Sequence, residues 1–191
     1  CFLSTPSVFF SLNNKDIIDN SVLFDYDTIW EAKTSHYFQY DYRKPIDIPE
    51  KYHHYFDMVV IDPPHITEEV WKLYSETCQL ILQKEDEERI ITTKEYNVIK
   101  NAMKKQEDSI FFLPGRKGND PQPSLFNKIT KKPKSYVLLT TVVENEPLLY
   151  ELLGVTCHKY RPSIPTLMYQ YSFFTNFPCN LLKDKNKEID K

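Results

Sequence analysis

Residues Phe56 to His65 read FDMVVIDPPH, and this stretch decides the fold. Phe56 to Ile61 is a short apolar run rich in β-branched residues, and it stops at Asp62, Pro63 and Pro64, which cannot continue a strand. The pattern predicts a buried parallel strand whose carboxyl end opens into a rigid polar turn. Open α/β sheets bind their ligands at such ends.

Two successive prolines supply no N–H, so the carbonyls of Asp62 and Pro63 need partners from outside the turn. A substrate amine is one such partner. A carboxylate and one or two carbonyls aimed at one nitrogen would hold it by its protons and leave its lone pair free to attack an electrophile, with His65 as a flat side wall. The alternative is a strand terminator, with Asp62 accepting backbone hydrogen bonds and proline enforcing the turn.

The 191 residues, 41% hydrophobic, suffice for one domain with a real core and an insertion. No run of about 18 apolar residues occurs, and no basic segment precedes an apolar stretch and cleavage site, so a cytoplasmic protein without membrane contact is expected. Cys1, Cys78, Cys157 and Cys179 show no CxxC spacing or neighbouring histidine pairs, so buried thiols are expected rather than a metal site or disulfides. A net charge of -3 argues against a nucleic-acid grip. The basic cluster Lys128 to Lys134, KITKKPK, reads as a solvated tether. With three glycines against thirteen prolines there is no G-x-G-x-x-G or P-loop, so a nucleotide-like cofactor needs another kind of turn.

Upstream, CFLSTPSVFF already looks like the end of a core strand, so the chain is expected to start within its domain. Cys1 to Leu3 reads as strand, Ser4, Thr5, Pro6 and Ser7 as a turn, and Val8 to Leu12 as the opening of a helix. Hydroxyls and free amides at such a turn can hold a carboxylate or a ribose; helix capping by Ser4 or Thr5 is the equal alternative. Ser21 to Asp27 (SVLFDYD) and Tyr37 to Tyr42 (YFQYDY) are further runs ending in acids. Asp25 and Asp27, Asp41, and Asp62 would therefore share one rim of a parallel sheet. A carboxylate there can accept two ribose hydroxyls, and Tyr26 or Tyr42 can cover an adenine face, although each Asp alone suits a turn.

Downstream, Thr67-Glu68-Glu69 is a helix start, and Val70, Tyr74, Thr77, Cys78 and Ile81 recur at helical spacing, predicting a helix over 67–83 with Trp71 and Tyr74 in the core. The charge run KEDEER follows, then a helix over 93–105, an anchor at Ile110 to Leu113, and a loop over 114–134. Ser135 to Val143 predicts a strand, Glu146 to Leu153 a helix ending at Gly154, and Val155 to Tyr160 with Tyr169 to Thr175 an antiparallel hairpin around the Pro162 to Thr166 turn. The tail from Lys183 is expected to fray.

In chain order, STPSV, FDYD, YDY with PIDIPE, FDMVVIDPP, TEE with SET, and LYELLGV resemble the lysine methyltransferases of translation elongation factor 1-alpha, once labelled N6-adenine-specific DNA methylases for their DPP[YF] turn. The resemblance covers most of the chain and breaks at about 84–134, which reads as an insertion in a single domain. It implies a class I methyltransferase fold, Rossmann-like, with an antiparallel carboxyl-terminal strand and the family's amino-terminal portion missing. It further implies S-adenosyl-L-methionine as cofactor, held by Ser4 to Ser7, Asp25 to Asp27, Asp41 and Tyr42. Catalysis would fall to Asp62, Pro63, Pro64 and His65, and the substrate would be a protein, elongation factor 1-alpha. In relatives the fourth position of the turn is aromatic; here it is His65. Two other readings stay open: an adenine-N6 methyltransferase of DNA or RNA, which would stack a flipped base and need phosphate contacts, and a non-catalytic binding relative.

Overall fold

Successive apolar residues along short strands point to opposite sides, so the sheet has two greasy faces, and this determines where each helix lies. The computed structural model describes residues 1–84, 135–163 and 170–189. Seven strands form one sheet: β1 (Phe2–Leu3), β2 (Leu23–Asp25), β3 (Tyr37–Gln39), β4 (Met58–Ile61), β5 (Tyr136–Val142), β6 (Thr156–Cys157) and β7 (Tyr171–Thr175). Their order is β3-β2-β1-β4-β5-β7-β6. The first five strands pair in parallel, and β7 runs antiparallel between β5 and β6. The expected α/β sheet and its closing hairpin are both present.

On one face Phe2, Leu23 and Phe9 pack with Trp30, Tyr37 and Val60. Phe9 comes from helix α1 (Pro6–Phe9), which precedes a second short helix, α2 (Lys15–Asp19). The other face carries Leu3, Phe24, Val59, Ile61, Val137, Leu139 and Phe174. It is covered by α3 (Glu68–Ile81) and α4 (Glu146–Leu153). Helix α3 forms because Thr67 accepts a hydrogen bond from the Val70 amide, Glu68 and Glu69 occupy the positive first turn, and one face is apolar. That face buries Val70, Trp71, Tyr74, Thr77, Cys78 and Ile81. Each large side chain taken fully out of water there contributes about 1.5–3 kcal/mol. Helix α4 stops at Gly154, whose φ of 66° is left-handed, the conformation glycine adopts without steric cost.

Several elements are shorter than the sequence suggests. Helix α1 spans Pro6–Phe9 rather than starting at Val8, because Pro6 is preset for a first helical turn. Strand β2 ends at Asp25, and β3 ends at Gln39, so Asp41 lies in the following turn rather than at the strand end. Strand β6 is only Thr156–Cys157. The tail is not frayed through 189: buried Asn186 donates to the Arg161 carbonyl and accepts from the Glu188 amide. The expectations for 85–134, including the insertion and its helix and loop, lie outside the described residues, as does most of the Pro162 to Thr166 turn.

A pH response is built into the hairpin. His158 is buried, and its Nε2 lies 2.6 Å from the Thr175 hydroxyl, which itself donates to the Phe177 carbonyl. Nε2 therefore carries the proton, and Thr175 accepts. Burial holds the His158 pKa below its ordinary value, so the fold prefers the neutral ring and the unfolded chain takes up the proton first. Stability is then full above about pH 6.5 and falls as pH drops toward the folded-state pKa. Melting temperatures followed from pH 8 to pH 5 should decline for the parent and decline less steeply for His158→Gln; parallel curves would refute this.

Candidate functional site

The parallel register places the ends of four strands level with one another. Leu3 sits opposite Phe24 and Ile61, so the next residues, Ser4, Asp25 and Asp62, share one rim. Backbone bonds extend the sheet past its strands: Ser4 N–H donates to the Phe24 carbonyl (2.8 Å), Asp62 N–H to Leu3 (3.3 Å) and Tyr40 N–H to Asp25 (2.9 Å).

At the end of β4, Asp62 Oδ1 accepts a 3.0 Å hydrogen bond from the Thr140 hydroxyl on β5, which the Ile61–Leu139 register brings alongside. Desolvation by the surrounding turn pushes the Asp62 carboxyl above its ordinary pKa, with the Thr140 bond pulling the other way. Pro63 is buried, whereas Pro64 and His65 are exposed. The chain after His65 is braced by Asn145, whose Nδ2 donates to the Ile66 carbonyl and to the Thr141 hydroxyl, both at 3.1 Å. Thr140 and Asn145 carry no local sequence signal, since each acts on a residue far away in the chain.

The turn after β1 is tight without glycine. Ser4 has a φ of 57°, in the left-handed region that costs a serine about 1–2 kcal/mol. Neither Ser4 nor Thr5 caps α1 with its side chain. The Ser4 hydroxyl meets the Tyr74 hydroxyl at 2.6 Å, and the Thr5 hydroxyl reaches toward the Val60 carbonyl at 3.5 Å. Ser7 is exposed. Tyr42 stacks on Tyr74 with centroids 5.9 Å apart, so Ser4, Tyr74 and Tyr42 form one chain of contacts across the rim.

The acids divide by role. Asp25 Oδ1 accepts from the Asp27 amide, and no bond to its second oxygen is seen among the described residues. Asp27 Oδ1 accepts from Ile29 N–H and caps a short 3-10 turn, Thr28–Trp30. Asp41 is held by Arg43 through both oxygens, Nε–Oδ1 at 2.8 Å and Nη2–Oδ2 at 2.9 Å, and these bonds lower its pKa. The same guanidinium lies 5.5 Å from the Tyr26 ring centroid. Tyr26, Gln39, Asp41, Lys44 and Asp47 line a cavity of about 230 Å³. Among the described residues no group of His, Cys, Asp and Glu could hold a metal ion, and no helix is long and apolar enough to cross a membrane.

This strand order, with a helix-flanked parallel half and an antiparallel β7, is the class I S-adenosylmethionine-dependent methyltransferase fold, Rossmann-like. A family model described as "Probable N6-adenine methyltransferase" matches residues 1–179, and the chain belongs to that family. It is similar to "EEF1A lysine methyltransferase 1" of Bos taurus, with 40% identity over 81 residues, 41% of this chain and 36% of that protein. The Mus musculus protein of the same name is 38% identical over 41% of this chain and 38% of its own length. "Protein-lysine N-methyltransferase EFM5" of Saccharomyces cerevisiae is 31% identical over 44% of this chain and 36% of its own length. The chain thus spans little more than a third of these relatives. No solved structure matches.

The rim thus brings together a tight turn bearing hydroxyls, the Asp25 carboxylate and two tyrosines beside them.

Proposed function

We propose that this chain transfers methyl groups from S-adenosylmethionine to a lysine amine of a protein, with translation elongation factor 1-alpha as substrate. The observation that carries the reading is the Asp62 turn: a carboxylate anchored through one oxygen by Thr140, level with the Ser4 and Asp25 rim. The names of the relatives support the lysine and the elongation factor.

S-adenosylmethionine would supply a methyl group on a sulfonium sulfur. The Ser4 to Ser7 turn, Asp25 and Tyr42 would hold it, and Tyr26 with Asp41 and Arg43 would wall the cavity beyond β3. A lysine amine, with a pKa near 10.4, must lose a proton to solvent before its lone pair can form the new carbon–nitrogen bond as the carbon–sulfur bond breaks. Seating beside the proline turn removes water and favours the neutral amine. Asp62 and the Pro63 carbonyl then accept its remaining protons and aim the lone pair.

Purified protein incubated with radiolabelled S-adenosylmethionine, in parallel with elongation factor 1-alpha, nucleic acid and a cell lysate, tests the reading. Label on lysine of the elongation factor is the expected result. Label on adenine would instead favour the nucleic-acid reading, against which stand the exposed His65 and the net charge of -3. No transfer and no cofactor binding would leave a non-catalytic relative. Calorimetry on Asp25→Ala should show cofactor affinity reduced about tenfold, the loss of one charge-assisted hydrogen bond. Unchanged affinity would move the cofactor elsewhere.

A further inference from the structure

We infer that Tyr74, on the helix that follows the Asp62 turn, is a positioning residue that fixes the Ser4 hydroxyl as a proton donor toward an oxygen of the bound methyl donor. The inference rests on the placement of the cofactor at the Ser4 turn.

Tyr74 is fully buried, and among the described residues the partner of its hydroxyl is Ser4 Oγ, 2.6 Å away. Two hydrogen-bond directions are open to this pair, and they differ in energy. If Ser4 donated, the tyrosine proton would be buried without an acceptor, which costs about 1–3 kcal/mol. If Tyr74 donates, Ser4 accepts, and the unassigned proton belongs to the half-buried serine at the rim, where a ligand or water can take it. The second arrangement gives the buried phenol proton an acceptor. Burial, with the Asp25 carboxylate nearby, raises the phenol pKa, so Tyr74 keeps the proton it donates.

Backbone strain points the same way. Glycine would hold a φ of 57° at no steric cost, so what serine adds at this position is its hydroxyl. Tyr74 is itself held by the stacked Tyr42 and by Tyr40 and Trp71 at its edges. A hydroxyl anchored on so fixed a ring orients Ser4 before any ligand arrives, which reduces the entropy lost on binding.

The experiment is a double-substitution cycle read by calorimetry with S-adenosylmethionine and its product S-adenosylhomocysteine. Tyr74→Phe keeps the ring and its stacking and should bind about tenfold more weakly with an unchanged melting temperature. Ser4→Gly relieves the backbone strain but leaves the buried Tyr74 proton without its acceptor, so it should melt within a few degrees of the parent and bind about tenfold more weakly. The double variant should match Ser4→Gly alone, because Tyr74 acts only through Ser4. In turnover assays the KM for the cofactor should rise while kcat at saturation stays within about twofold of the parent. Parent-like binding by either single variant, or losses that multiply in the double, would overturn the inference while leaving the cofactor site in place. A parent that does not bind the cofactor would overturn both.

Discussion

Asp62→Asn is expected to lower turnover about a hundredfold while leaving cofactor affinity within a few-fold of the parent. In the proposed mechanism the carboxylate acts at the transition state, where a positioned acceptor is worth about 2–4 kcal/mol. Asparagine keeps the size and an oxygen for the Thr140 hydroxyl, but it turns a donor toward the amine. The stability readout separates this role from a scaffold role. Asp62 is exposed, so the upward push on its pKa from the surrounding turn weighs only slightly on stability, which is full below the ordinary carboxylate pKa and is eroded as pH rises through the folded value. At neutral pH the neutral asparagine should therefore melt no lower than the parent. A folded Asp62→Asn protein with near-normal methyl transfer would leave the turn as scaffold, and a clear drop in melting temperature would make Asp62 a turn former.

Phe24→Ala should be the most damaging single core change. Phe24 is fully buried, and its ring meets those of Phe38, Tyr40, Tyr52 and Phe56 at centroid distances of 4.9 to 6.1 Å. Removing it loses about 3–5 kcal/mol through transfer and cavity terms together, a large part of the about 5–15 kcal/mol that holds a domain folded. For a chain of this size the melting temperature should fall by roughly 10 °C. Phe24→Leu should recover most of the stability; a loss under about 1 kcal/mol for the alanine would mean the cluster collapses to fill the hole.

Local signals carried much of this architecture. The capped amphipathic pattern of α3, the apolar run of β5 and the glycine after α4 depend on neighbours within a few residues, and each matches the structure closely. The strand before Asp62 was legible for the same reason. The groups that complete the site were not, because Thr140 meets Asp62 across 78 positions, Asn145 meets Ile66 across 79 and Tyr74 meets Ser4 across 70. The sheet register and the packing of α3 against the sheet bring them together. The Arg43 clamp on Asp41 was different: two residues apart, the pair was readable as a local turn.

The insertion of β7 between β5 and β6 also sets an order of assembly during synthesis. As the chain emerges amino terminus first, β5 can join β4 at once, but its other edge has no strand to pair with until Tyr171–Thr175 have left the ribosome. Strand β6 emerges earlier yet among the described strands pairs only with β7, so it must wait as well. For that interval a newborn molecule carries an open row of amides and carbonyls along Tyr136–Val142, the kind of edge to which another chain can add. Among the described strands the last to be made is therefore the one that covers the β5 edge.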